Sequence, residues 1–362
     1  MNQLRLLVLI FLSVVFFCSC SNNVLELSCT PIILDSTDTI SISFDDCFEI
    51  TSCIPLEETS DCYMSSPRRV EFFKGKYYVS SSNADFGLVV YDAKGSFVSR
   101  IGKKGHGRGE YTNIYDFSID QKNRRILIIC DKSSLVKVYS LDGIFQKEKV
   151  IHNTLLSNLA CVNGLVLCPT NHQGFTKYPS DSLFYIFDEN LNFVKKHTYI
   201  SNNSLGMTSP IPSNIRTYGE KFVYSDFHEH RTFILNKYGD IEKCFQYEED
   251  GLVPIAALKS PKIFMANQFV YDFILGSAIV DEKCITTYKA GRRMKLSINN
   301  NNGDCIVNKP LSTLLPDFHG YENNQILSVI SIETLKSLTK TSFHNYIGNA
   351  RYFIIKYKLK ES

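Results

Sequence analysis

Tyr91-Asp92-Ala93-Lys94-Gly95-Ser96-Phe97 is the first of four related segments. It is followed, at intervals of 48 residues, by Tyr139-Ser140-Leu141-Asp142-Gly143-Ile144-Phe145, Phe187-Asp188-Glu189-Asn190-Leu191-Asn192-Phe193 and Leu235-Asn236-Lys237-Tyr238-Gly239-Asp240-Ile241. Each is an apolar strand end, a turn rich in Asp, Asn and Gly, and a second apolar start, which is the composition of a hairpin. A fixed period of roughly 40–50 residues in an all-strand pattern is the signature of propeller blades. Each interval also holds the strands that a blade needs. Around Tyr91, strands are expected over 69–73, 76–82, 87–92 and 97–102. The second blade reads 114–120, 124–131, 135–140 and 144–151. The third reads 158–162, 165–170, 182–188 and 193–200, with 171–181 as a lengthened loop, and the fourth 215–218, 221–227, 232–236 and 241–248.

Beyond the fourth repeat the pattern weakens. Residues 262–265, 268–275 and 284–288 supply most of a fifth blade, 325–330 and 352–359 belong to a sixth, and 332–338 read as a short helix. A propeller has to close its ring, because an edge strand with unpaired N–H and C=O groups is a liability. The strand-like run 47–56 fills that role beside the C-terminal strands. The expected fold is therefore all-β: a six-bladed β-propeller of four-stranded antiparallel blades, closed by an N-terminal strand, in a single domain over 41–362.

The chain has 362 residues with 44% hydrophobic content, enough for a sizeable core, and a net charge of +2. That balance provides no basic face for nucleic acid or for an anionic membrane surface. Twenty Tyr and 25 Phe with no Trp suit pleated, half-buried surfaces. At the start, Arg5 precedes an apolar run from Leu6 to Phe17. A permanent membrane span needs about 20 apolar residues, so this shorter run reads as a secretory signal. It ends at Phe17-Cys18-Ser19-Cys20, followed by Ser21-Asn22-Asn23, and resembles the lipobox of bacterial lipoproteins. The resemblance implies a signal peptide over 1–19, diacylglycerol on Cys20 and a tether over 20–40. Phe17 stands where the lipobox usually has Leu, and Cys18 where it has Ala or Ser. No charged run follows Cys20, which favours the periplasmic face of the outer membrane.

Ten cysteines remain in the mature body. Export permits disulfides, but no CxxC pair and no metal-ligand spacing is present. Cys161 and Cys168 flank the Asn163-Gly164 hairpin signal, in a register that sets Cys161 opposite Val166. Cys130 and Cys161 lie in apolar runs, where a thiol behaves as a small hydrophobe. Mostly unpaired core cysteines are expected.

The stretch Phe97-Val98-Ser99-Arg100-Ile101-Gly102-Lys103-Lys104-Gly105-His106-Gly107-Arg108-Gly109-Glu110-Tyr111 is similar to the blade junction of NHL-like repeats. More closely, it resembles the six-bladed β-propeller lipoproteins of gut-type Gram-negative bacteria, where an F…IG..G.GPGEY run follows the first blade. Ile54-Pro55-Leu56-Glu57 matches that family's N-terminal strand, and Tyr357-Lys358-Leu359-Lys360 its end. Arg108 replaces the usual Pro. The likeness runs from about residue 40 to the C-terminus. It implies fold and location, and assigns no activity.

Candidate sites are few. Gly102–Glu110 carries four glycines but lacks a GK[ST] end and a following helix, so it reads as a crossing between blades rather than a phosphate loop. Within it, His106, Arg108 and Glu110 are candidate ligand contacts. His228, His230 and Arg231 form a second candidate set, in the turn between the second and third strands of the fourth blade. His228 and His230 would share a face on a strand, but no third ligand is identifiable and no metal site is assigned. Lactonase-type propellers hold Ca²⁺ with acidic and Asn side chains from inner strands, and Asp116, Asn158 and Asn214 are the candidates here. No GxSxG elbow and no Ser/His/Asp set is present. The expectation is a non-catalytic binding module, anchored in the cell envelope by lipid, for a glycan, a peptide or an envelope protein. It has no catalytic residue, no cofactor and no nucleic-acid partner. The alternative is a Ca²⁺-dependent hydrolase of the lactonase type.

Overall fold

The repeat recurs because one side chain caps each outer hairpin. Asp92 Oδ1 accepts the N–H of Lys94 at 2.8 Å and of Ser96 at 2.9 Å. Asp188 and Asn236 do the same for the equivalent residues of their turns, and Ser140 Oγ accepts the N–H of Ile144. The fifth residue of each segment takes the left-handed conformation: Gly95 at φ +87°, Gly143 at +83°, Leu191 at +60° and Gly239 at +75°. The strand register slips at each turn, as expected for a tight turn completed by a bulge.

The same device occurs a fifth time. Asn300 Oδ1 accepts from Asn302 N at 2.8 Å and from Asp304 N at 3.0 Å, with Gly303 at φ +86°. Sequence reading missed this turn because extra chain between the fourth and fifth blades moves it off the 48-residue interval.

The computed structural model describes residues 28–34, 38–63, 65–81, 87–131, 134–151, 156, 158–169, 182–198, 214–226, 230–254, 257, 261–267, 270–338 and 350–360. The strands, numbered β1–β25 in chain order, form six sheets. Blade one is β3 (Pro67–Phe73), β4 (Lys76–Ser81), β5 (Leu88–Asp92) and β6 (Phe97–Ile101). Blade two is β7 (Ile114–Asp120), β8 (Arg125–Cys130), β9 (Leu135–Ser140) and β10 (Phe145–Val150). Blade three is β11 (Ala160–Val162), β12 (Leu165–Pro169), β13 (Ser182–Phe187) and β14 (Phe193–Thr198). Blade four is β15 (Asn214–Tyr218), β16 (Lys221–Asp226), β17 (Arg231–Leu235) and β18 (Ile241–Glu248). Blade five is β19 (Phe273–Val280), β20 (Lys283–Ala290), β21 (Arg293–Asn299) and β22 (Cys305–Pro310). Blade six is β23 (Gly320–Glu322), β24 (Gln325–Ser331) and β25 (Tyr352–Leu359), completed by β2 (Phe48–Pro55).

The ring closes as expected: β2 pairs antiparallel with β25, Phe48 opposite Leu359 and Pro55 opposite Phe353. The segment leading to it forms a strap. Within the stretch read as a tether, β1 (Thr30–Ile33) adds a parallel fifth strand to β18, and Cys29 forms a disulfide with Cys244. The strap then bridges Ile42 to Leu311 at the end of blade five and passes through the short helix α1 (Phe44–Cys47) into β2. Cys47, Cys53, Cys62, Cys130, Cys161, Cys168 and Cys284 are free thiols, and Cys161 faces Val166. The signal segment and Cys20 lie outside the described residues.

Two expectations in the weaker half need correction. Residues 262–265, expected as a strand, belong to helix α2 (Pro261–Asn267), and the first strand of blade five begins only at Phe273. Its last two strands, β21 and β22, were not foreseen. The expected short helix is α3 (Ile332–Leu338).

Six apolar clusters, one at each blade interface, make up the core. Alternate residues of one strand serve opposite neighbours: Ile126 and Ile128 pack against blade one, Leu127 and Ile129 against blade three. Strands buried on both faces read as continuous apolar runs, which is why Arg125–Cys130 shows no polar alternation.

Candidate functional site

The inner strand of every blade presents one unpaired edge to the central channel, and its N–H groups need acceptors. Side chains of neighbouring blades supply them. Glu71 Oε2 accepts Ile119 N at 2.8 Å, Asp116 Oδ2 accepts Leu159 N at 3.1 Å, and Ser118 Oγ accepts Cys161 N at 3.1 Å. On the far side, the hydroxyl of Tyr321 accepts Ile279 N at 3.0 Å, and that of Tyr218 accepts Asp281 N at 3.4 Å. At Gly320 a Cβ would come within 2.0 Å of Val70 O, so only glycine lets β23 approach β3 this closely.

Two arginines cross this lining. Arg69 is 0% exposed. It donates to Asp116 Oδ2 at 2.8 Å and to Leu159 O at 2.6 Å, and it lies 2.5 Å from Glu71 Oε1, off the hydrogen-bond axis. Burial works against its charge, but the Asp116 and Glu71 carboxylates outweigh burial and leave its pKa above the ordinary value. Breaking such a buried pair from one side typically costs about 3–5 kcal/mol.

Arg216 is different. It is half-buried, and its three hydrogen bonds all go to backbone carbonyls: Nε to His319 O at 3.0 Å, Nη1 to Ile215 O at 2.8 Å and Nη2 to Arg68 O at 3.1 Å. Burial, then the charge of Arg69, pull its pKa down to about 10. His319 Nδ1 accepts Val329 N at 2.9 Å, and burial together with Arg216 lowers its pKa to about 3, so the ring is neutral.

The channel widens into a cavity of about 660 Å³ whose wall includes Arg69, Glu71, Arg216, Tyr218 and Tyr321. Lys74, Gln121, Glu220 and Asn324, all in turns between first and second strands, form its rim. The cavity therefore opens at the end of the ring where those turns lie.

His106, Arg108 and Glu110 sit at the opposite end, in the crossing from β6 to β7. Glu110 is folded back: it accepts Gly107 N at 2.8 Å and pairs Lys103 at 3.0 Å. Those two contacts, the backbone bond first, hold its pKa below the usual carboxylate range. Arg108 lies over the Phe145 ring, 5.8 Å from its centroid, and His106 is exposed. His230 is half-buried rather than a solvated tip: its Nε2 contacts Val253 O at 3.0 Å, and burial lowers its pKa. Arg231 bonds Gln246 on β18, the neighbouring strand of its own blade. His228 lies outside the described residues.

Asp116, a candidate Ca²⁺ ligand, is bound to Arg69, while Asn158 stands next to Leu159 at the start of blade three. Among the described residues no three His, Cys, Asp or Glu side chains converge as a metal-ligand set. Sequence reading noticed Asp116 but missed Arg69, Glu71, Arg216 and His319. The available signal was charge within or beside short apolar inner strands.

The family profile described as 6-bladed beta-propeller, DUF5128, matches residues 23–305. The chain belongs to this family. Among solved structures, DUF5128 architecture is shared with a Bacteroides fragilis protein named for its inferred export, at a TM-score of 0.74 and 14% identity over 92% of this chain and 100% of that one. A DUF4221 protein of Bacteroides vulgatus gives 0.58 at 10% identity over 87% and 99%. At these identities the likeness is one of fold. No curated protein matches the sequence.

Proposed function

We propose that this DUF5128 chain is a non-catalytic binding module, exported and held at the cell envelope through lipid on Cys20, that takes its ligand in the cavity of the central channel. The observation carrying this reading is Arg69. Its buried guanidinium is paired with Asp116 and Glu71, which engages two channel carboxylates that a lactonase-type ion would need. The hydroxyls of Tyr218 and Tyr321 each accept one backbone N–H of blade five. What is left is a mixed, rigid cavity, suited to binding rather than to metal-assisted hydrolysis. The signal-like run before Cys20 and the fold shared with a Bacteroides protein named for export support the envelope location. The tether is short, because Cys29, nine residues after Cys20, is already bonded to blade four.

Thermal unfolding with Ca²⁺ and with chelator tests the choice between binding and hydrolysis. The expected result is the same Tm in both; a Ca²⁺-dependent rise reversed by chelator would favour the hydrolase. Replacing Cys20→Ser should move the protein from the membrane fraction to the soluble one, and retention in the membrane would remove the anchor.

A further inference from the structure

We propose that the channel cavity recognises a carboxylate, with Arg216 as its anchor and the hydroxyls of Tyr218 and Tyr321 as flanking donors; this rests on the binding-module reading above. A guanidinium carries five N–H bonds. Arg216 uses three on carbonyls, and among the described residues no carboxylate lies within 4.0 Å of it, which leaves two N–H bonds without a protein acceptor. The nearby carboxylates are engaged or distant. Glu71 and Asp116 pair Arg69, Glu322 pairs Lys356 at 2.7 Å, Glu220 pairs Lys237 at 3.1 Å, and Asp317 is beyond ion-pair distance.

The two tyrosines add donors at the same place. Arg216 and Tyr218 are two apart on β15 and so share a face. Tyr321 packs against Tyr218 with ring centroids 5.1 Å apart. Both hydroxyls accept a backbone N–H, which leaves each with its own proton to donate. Burial raises both phenols above their ordinary pKa, so the protons are present at neutral pH. A cation with unspent donors and two hydroxyl donors, all on the wall of one cavity, are complementary to a planar two-oxygen anion. The three carbonyls fix the guanidinium plane before any ligand arrives, so little order is lost on binding.

The carboxylate can be that of an acidic sugar or of an organic acid, and matched probes separate the two. Thermal shift and titration calorimetry on the mature protein would compare galacturonate with galactose, and benzoate with benzamide, at equal ionic strength. The expected result is stabilisation by at least one carboxylate and none by its neutral partner. Galacturonate alone would indicate the sugar, and benzoate alone the organic acid. Arg216→Gln should abolish the effect. Because Arg216 also ties together blades four, six and one, Gln121→Glu provides a test at the exposed rim without touching those bonds. It should weaken carboxylate binding several-fold while leaving the unliganded Tm unchanged. Equal shifts from acid and neutral partner, a shift that survives Arg216→Gln, or no shift with either acid would overturn the assignment. The binding-module reading fails separately, if the native protein enriches no glycan, peptide or protein from envelope extracts beyond an unrelated lipid-anchored control.

Discussion

Single residues in the channel serve the ring first and ligands second. His319 shows how tightly. Its ring is 5% exposed, its Nδ1 is committed to Val329 N, and Arg216 hydrogen-bonds to its carbonyl. Charging it would place a second cation beside Arg216 in a buried site. With a folded pKa of about 3 against an ordinary 6.5, the unfolded chain binds a proton that the folded chain refuses. The stability due to neutral His319 is thus fully present above pH 6.5 and is lost as pH falls toward 3, by an amount on the order of 5 kcal/mol at 1.36 kcal/mol per unit. Urea unfolding at pH 7, 5 and 4 should follow this slope. His319→Asn, which keeps an acceptor but does not titrate, should flatten it. An unchanged slope would mean that another group titrates.

Among elements, the capped outer turn is the most informative. Four of its five occurrences were legible because Asp, Asn and Gly write the turn directly into the sequence. The fifth, at Asn300–Asp304, obeys the same chemistry and was lost to a shift in phase. Leu191 is the exception within the set, a Leu at φ +60° where the other four turns have Gly. It is 2% exposed and packs into the cluster between blades two and three. Burying a Leu contributes about 1.5–3 kcal/mol, while the left-handed conformation costs a non-glycine residue about 1–2 kcal/mol, so burial wins narrowly. Leu191→Ala loses most of the burial and keeps the strain, whereas Leu191→Gly loses the burial and relieves it. The Gly variant should therefore be the more stable of the two by about 1 kcal/mol in denaturant midpoints, although both fall below the parent. An Ala variant as stable as the Gly variant would mean that position 191 is unstrained. The channel was far less legible than the turns. Nothing local distinguishes Arg216 from a solvated strand residue, and only closure of the ring brings it beside His319 and Arg68.

At the scale of the whole molecule, the N-terminal strap binds three blades. It joins β18 through β1 and the Cys29–Cys244 disulfide, crosses blade five at Ile42 and Leu311, and completes blade six as β2. Disulfides typically contribute about 2–4 kcal/mol, or roughly 3–5 °C in a chain of this size. Reductant should lower Tm by that amount and leave the far-UV spectrum intact, because β2 and β25 hold the ring without β1. Cys29→Ser should show the same loss and no further response to reductant; a second drop would point to another bridge. Closure through β2 also has a consequence in time. The piece that seals the circle is among the first to be made, and its partner is the last strand. Until Leu359 is in place, β2 and β24 each keep a raw edge, and pairing between such distant segments is slow. A chain cut short before β25 can stack blades but cannot finish. Its two open edges mark it for proteases and aggregation, so only a chain that reaches β25 hides both of them.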